Sequence, residues 1–130
     1  MAKTSATSNE YSVKISESSR ELNAYERVKF KDYSDAVKLD EAAENGVQIT
    51  PDFYVILSIH NPKSDNPDYF NYMIVDKDGT KYVTGSPTFW TSFKSIFDEM
   101  NEENLEYTIK AYKVDSKNYK GKKFITCSLV

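Results

Sequence analysis

Phe53-Tyr54-Val55-Ile56-Leu57-Ser58-Ile59-His60 is the stretch that decides how this chain folds. In an extended chain successive side chains leave opposite faces. Phe53, Val55, Leu57 and Ile59 therefore point one way, and Tyr54, Ile56, Ser58 and His60 the other. Both rows are largely apolar near the start, which predicts a central strand covered on both sides. Val47-Gln48-Ile49 leads into it through Thr50-Pro51-Asp52. A polar loop follows over 61–68, where Pro62 and Pro67 break regular structure.

C-terminal to that loop, Tyr69 to Val75 reads as a second strand and Thr80 to Thr84 as its return. Asp76-Lys77-Asp78-Gly79 between them is a hairpin turn, with Asp78-Gly79 supplying positive φ. Gly85-Ser86-Pro87 announces a helix: Ser86 caps free N–H groups and Pro87 fits the first helical position. Phe89, Phe93, Ile96, Phe97 and Met100 then fall on one helical stripe, the mark of a helix laid on a sheet. After Asn101-Glu102-Glu103-Asn104, two strands close the chain. Tyr107, Ile109 and Ala111 share one face of the first, and Ile125, Cys127 and Leu129 one face of the second. Their connection is the turn over 115–122.

The N-terminal third is less patterned. Residues 1–17 are rich in Ser, Thr and Lys and read as a flexible tail, extended near Tyr11 to Ile15. Ser18 or Ser19 caps a short helix over 20–26. Val28-Lys29-Phe30-Lys31 alternates like a strand, and Leu39 to Glu44 suggests a helical turn closed by Asn45-Gly46. The chain thus divides into a tail over 1–17 and one domain over 18–130. Its order is three strands, a helix and two strands, the first strand being drawn from 28–60. That is the order of an OB-fold, a five-stranded Greek-key barrel with one amphipathic helix between strands 3 and 4. A closed barrel is favoured over an open sheet because closure removes exposed edges.

Composition fits one folded domain. The 130 residues are 39% hydrophobic and 14% aromatic, whereas disordered chains are depleted in rings. No apolar run approaches the ~18 residues that cross a bilayer, and the first residues lack the apolar core of a signal peptide. The single cysteine, Cys127, alternates with apolar neighbours and reads as a buried thiol, so a cytoplasmic setting is expected.

Catalysis needs convergent groups, and few are present. His60 and Cys127 are each alone, short of a zinc set. There is no Walker loop, no GxGxxG and no nucleophile elbow. Asp76 and Asp78 lack the further ligands of a calcium loop and read as turn formers. His60 reads as a hydrogen-bonding loop residue. Neither an enzyme nor a cofactor is expected.

Charge and rings point elsewhere. Residues 105–130 carry six lysines against Glu106 and Asp115, a net of +4, which leaves −7 for residues 1–104 of the total of −3. Lys110, Tyr112, Lys122 and Phe124 fall opposite the core rows of the last two strands, and Lys117, Tyr119 and Lys120 lie in the turn between them. Rings interleaved with lysines suit single-stranded nucleic acid, because bases stack on rings while lysines follow phosphates. In an OB-fold the groove lies between the loops joining the first two and the last two strands. Here those are 61–68, which holds Lys63, and 115–122. The competing reading is a solvated lysine-rich hairpin whose rings cover a barrel end, and it applies more strongly to Tyr54 and Tyr72.

Three segments carry a resemblance: Tyr69-Phe70-Asn71-Tyr72-Met73-Ile74-Val75-Asp76-Lys77-Asp78-Gly79, Lys81-Tyr82-Val83-Thr84-Gly85-Ser86, and Ser116-Lys117-Asn118-Tyr119-Lys120-Gly121-Lys122-Lys123-Phe124-Ile125-Thr126-Cys127. Over roughly residues 20–130 the chain resembles small single-stranded-DNA-binding proteins of phages and mobile elements of low-GC Gram-positive bacteria. The resemblance implies an OB-fold protein that coats single-stranded DNA during replication and recombination, beside proteins of those processes. Cellular proteins of this type often end in an acidic tail. This chain ends in an apolar strand at Val130, so recruitment by an acidic tip is not expected.

The alternative function is a protein-interaction module, such as a phage inhibitor of a host protein, acting through the acidic surface of residues 1–104. No membrane partner is expected. Oligomeric state stays open, a homodimer included.

Overall fold

The computed structural model describes residues 10–118 and 120–130. Its elements are β1 (Ser12–Ser18), α1 (Ala24–Lys31), β2 (Val37–Lys38), α2 (Leu39–Ala42) with a 3-10 turn (Ala43–Asn45), β3 (Val47–Ile49), β4 (Pro51–His60), β5 (Asp68–Asp76), β6 (Lys81–Thr84), α3 (Pro87–Glu102), β7 (Ile109–Asp115) and β8 (Lys123–Leu129). The chain is mainly β. Its strands form one sheet in the order β1-β4-β5-β6-β2 and another in the order β3-β7-β8.

β4 is the central strand that its two apolar rows predict, with β1 antiparallel on one side and β5 on the other. Each row has its own core. Phe53, Val55, Leu57 and Ile59 meet Met73, Val75, Leu22 and Phe30. Tyr54 meets Ile74, Phe89 and Phe93, together with Ile49, Ile109, Ala111, Ile125 and Cys127 of the smaller sheet. The second core includes a ring cluster. Tyr54 meets both Trp90 and Phe97 edge-on at 4.9 Å, and such pairs add about 0.5–1.5 kcal/mol beyond area burial.

The chain passes from one sheet to the other at Thr50. The Thr50 N–H donates to Asp76 Oδ2 at 2.9 Å, the Lys77 N–H donates to the Thr50 carbonyl at 2.9 Å, and the Thr50 and Thr108 hydroxyls lie 2.8 Å apart. Asp76 also holds its own turn, with Oδ1 accepting the Asp78 N–H at 3.0 Å. Asp78 Oδ1 in turn accepts the Thr80 N–H at 2.8 Å. Both aspartates do the turn-forming work read from the sequence, and Asp76 fastens the sheet junction as well.

α3 begins as predicted, with Ser86 Oγ accepting the Phe89 N–H at 3.1 Å and Pro87 in the first turn. Phe89 and Phe93 of its stripe are fully buried. Met100, by contrast, is only half-buried.

Four expectations need correcting. The predicted closed barrel is not formed by the described ladders, which make two open sheets. β6 takes the two-residue parallel partner β2 on its free side, and α3 lies against β8, so β6 has no edge left for the closing hairpin. Second, of the tail expected over 1–17, residues 1–9 lie outside the described residues, and the extension expected near Tyr11 to Ile15 is part of strand β1, because Val13 and Ile15 pack on the Leu57 face. Third, Val28 to Lys31 is helix. Asn23 and Glu26 form a reciprocal capping box: Asn23 Oδ1 accepts the Glu26 N–H at 2.8 Å, and Glu26 Oε1 accepts the Asn23 N–H at 3.1 Å. This places the cap four or five residues beyond Ser18 and Ser19. Fourth, Leu129 is 47% exposed instead of core, since it lies at the end of edge strand β8.

Phe93→Ala removes a ring from the larger core and should cost about 3–5 kcal/mol in urea denaturation. A loss under about 1 kcal/mol would mean that α3 contributes little to the fold. The Arg20 guanidinium and the Asn23 N–H hold the Glu26 carboxyl down to about 2. A carboxyl depressed by folding stabilises the fold above its unfolded value, here 4.5, and ceases to do so as pH falls through the folded one. Glu26→Gln should thus lower Tm near neutral pH and have little effect near pH 2. An equal loss at both would rule out the charge.

Candidate nucleic-acid interface

The β7–β8 hairpin positions most of the residues singled out from the sequence. Its register pairs Lys110 with Ser128, Tyr112 with Thr126 and Val114 with Phe124, so these side chains share one face. The pairs between them, Ala111 with Cys127 and Ile109 with Leu129, supply the opposite face. Ile109, Ala111, Ile125 and Cys127 are buried there. The period of two separates core from solvent as predicted.

Phe124 is 37% exposed, and Tyr112 is half-buried with its hydroxyl 2.7 Å from Ser128 Oγ. That contact anchors the Tyr112 ring at the hairpin surface, outside the core. Lys110 is exposed, and its stem lies across Gly46, where a Cβ would stand 2.8 Å from Lys110 Cε. Gly46 has φ +77, which is what calls for glycine in the turn before β3, since the Lys110 stem can move aside. On the β8 side the face is bordered by α3, whose Ser92 Oγ lies 3.2 Å from Thr126 Oγ1.

The Ser116 N–H donates to the Lys122 carbonyl at 2.9 Å and closes the connecting turn, in which Lys117, Lys120 and Lys122 are exposed. Tyr119 lies outside the described residues. Among the described residues no ion pair engages Lys110, Lys117, Lys120 or Lys122. Lys113, on the core-facing row, is different. Its Nζ sits 2.6 Å from Glu44 Oε1 and holds that carboxyl below its ordinary range, so this lysine is neutralised.

Lys63 is exposed in the loop after β4, where its N–H donates to Asn61 Oδ1 at 3.1 Å. Ten residues of β4 separate this loop from the Thr50 junction that holds the hairpin, about 30 Å of strand. The fold therefore places Lys63 in a separate region from the other candidate lysines. His60, beside it, has Nδ1 2.7 Å from Asp68 Oδ1, which agrees with a hydrogen-bonding role.

Tyr54 is core, its hydroxyl donating to Glu17 Oε2 at 2.6 Å and its pKa pushed up by burial. Tyr72 is not enclosed in the same way. It stacks on Trp90 and, with Phe70, Ile56, Ser16 and Glu17, lines a cleft of about 250 Å³. Tyr72 was expected only to cover a barrel end, and Trp90 was not among the expected site residues. Trp90 precedes Phe93 and Phe97 by three and seven residues, on the flank of the helical stripe, and that spacing was the signal available.

Compared with protein families, curated proteins and solved structures, the chain matches none. No helix of the described residues is long and apolar enough to cross a membrane.

Burial pushes the Cys127 thiol up to about 11, which leaves little thiolate near pH 8. Iodoacetamide should therefore label native protein slowly and urea-unfolded protein fast, as followed by mass spectrometry. Fast native labelling would show that the hairpin opens.

Proposed function

We propose that this chain binds single-stranded DNA with little sequence preference, through the outer face and tip of the β7–β8 hairpin. The observation that carries the proposal is the grouping of exposed Lys110, Lys117, Lys120 and Lys122, without ion pairs among the described residues, with the accessible rings of Tyr112 and Phe124. Lysines without carboxylate partners keep their hydration and counterions, which phosphates displace on binding. Exposed rings offer bases a stacking surface worth ~1–3 kcal/mol each. Tyr119, in the same turn by sequence, completes the set.

We read the domain as OB-fold-like. In support, a first strand shared between two sheets is followed by a meander and a helix, and β7 then returns beside β3. That is Greek-key connectivity, and the OB barrel is itself partly open. In that fold the surface of strands two and three also carries ligand. The corresponding strands here are β5 and β6, and one of their faces lies under α1, whose Phe30 packs on Phe53 at 5.7 Å. This shifts the weight of recognition to the hairpin.

A protein of this kind coats displaced strands during replication or recombination of a phage or mobile element in the host cytoplasm. It needs no catalytic group, and the proposal includes none. A second reading, docking on a host protein, is favoured by one observation. Tyr25 and Val28 of α1, in the acidic part of the chain, are 72% and 65% exposed.

Fluorescence polarisation of labelled oligo-dT tests the main reading. Log affinity should fall with log salt at a slope of about −3 if Lys110, Lys117, Lys120 and Lys122 each meet a phosphate. Phe124→Ala should weaken binding roughly tenfold without loss of Tm. No binding at low salt would reject the proposal, and a slope near zero would reject the lysine contacts.

A further inference from the structure

α3 covers only part of the sheet face to which Tyr54 belongs. It reaches as far as Tyr72, where the Trp90 ring stacks at a centroid distance of 4.8 Å with the planes 11° apart. Past that point β4 and β5 run on toward the 61–67 loop, where among the described residues no helix lies on this face, and Phe70 there is 49% exposed. Register places Lys14, Ser58 and Phe70 in one row across β1, β4 and β5. Phe70 lines the cleft described above, and the exposed Lys14 stands two strands across from it in the same row, beside the cleft.

From this geometry we infer that the cleft is a second stacking station, taking one unpaired base between Phe70 and the Tyr72–Trp90 pair while Lys14 meets the adjoining phosphate. The inference rests on the single-stranded-DNA reading and extends it to a surface outside the hairpin.

Three features select a base over an apolar peptide side chain. Phe70, Tyr72 and Trp90 give the cleft flat ring walls beside Ser16, Glu17 and Ile56, and a base has two π-faces to offer those rings whatever its identity. Tyr72 and Trp90 are already stacked, so their ordering cost is met before the ligand arrives. Charge gives the strand a side. Glu17, in the neighbouring row opposite Ile56, is tied to the Tyr54 hydroxyl at 2.6 Å and repels phosphate. The backbone must then pass over Lys14 toward the loop that carries Lys63. That assigns Lys63 to this cleft and explains why it stands apart from the hairpin lysines.

Trp90 is the protein's single tryptophan, which makes the cleft directly visible. Titration with oligo-dT should quench its emission in step with the polarisation signal. Phe70→Ala should weaken binding about tenfold and reduce the quench, with Tm unchanged because the ring is exposed. Oligonucleotides carrying 5-iodouracil should crosslink under ultraviolet light to peptides holding Phe70 or Trp90. If oligo-dT binds by polarisation while emission, the Phe70→Ala affinity and the crosslinks all ignore the cleft, this inference fails and the hairpin reading stands. If crosslinks map only to 110–124 although emission changes, the quench is indirect and the inference also fails. If nothing binds at low salt, both readings fall together.

Discussion

A strand apolar on both faces must be covered on both faces, and β4 imposes that requirement on everything around it. Ten residues long and central in its sheet, it leaves two apolar rows that water would otherwise solvate at a cost of about 25 cal/mol per Å². One row is met by the N-terminal residues from Val13 to Tyr33. The other is met by α3 and the smaller sheet. The passage at Thr50 lets one continuous run serve both sheets, and Asp76 and Thr108 hold it there. The three-layer arrangement follows from that strand.

Open sheets leave edges, and three of the four edge strands here, β1, β2 and β8, are blunted in different ways. β1 carries a register shift between Ile15 and Glu17, which bends its edge away from regular pairing. β2 is two residues long, too short to template another chain. β8 has α3 alongside it. A closed barrel is therefore not the only way to manage the edge problem, and the expectation of closure overweighted it.

The surface separates into regions of different charge character. In the hairpin, Lys110, Lys117, Lys120 and Lys122 form no ion pair among the described residues, whereas Lys81 and Lys94 elsewhere are paired with Asp35 and Asp98 at 2.6 and 2.7 Å. Paired surface ions contribute little to long-range field, and unpaired ones of like sign add. The net of −3 hides this, because the acidic excess lies in residues 1–104.

Composition and period alone determined that this chain builds a mainly β domain around residues 53–60, with Ser86-Pro87 starting a helix and Asp78-Gly79 turning a hairpin. These are local facts: alternation, capping chemistry and positive φ act within a few residues. The side of the last hairpin that faces solvent was legible for the same reason, Leu129 excepted. The tertiary structure alone decided what depends on distant partners. Val28 to Lys31 alternates like a strand, and the capping box of Asn23 with Glu26, docked through Phe30 on Phe53, made it helix. Ser12 to Ser18 became strand because β4 had a free edge and an uncovered row. Lys63 and the hairpin lysines were separated by the length of β4, and Phe70, Tyr72 and Trp90 were gathered from two elements into one cleft. No local pattern encodes such meetings, since they arise only when the two apolar rows of β4 recruit their cover.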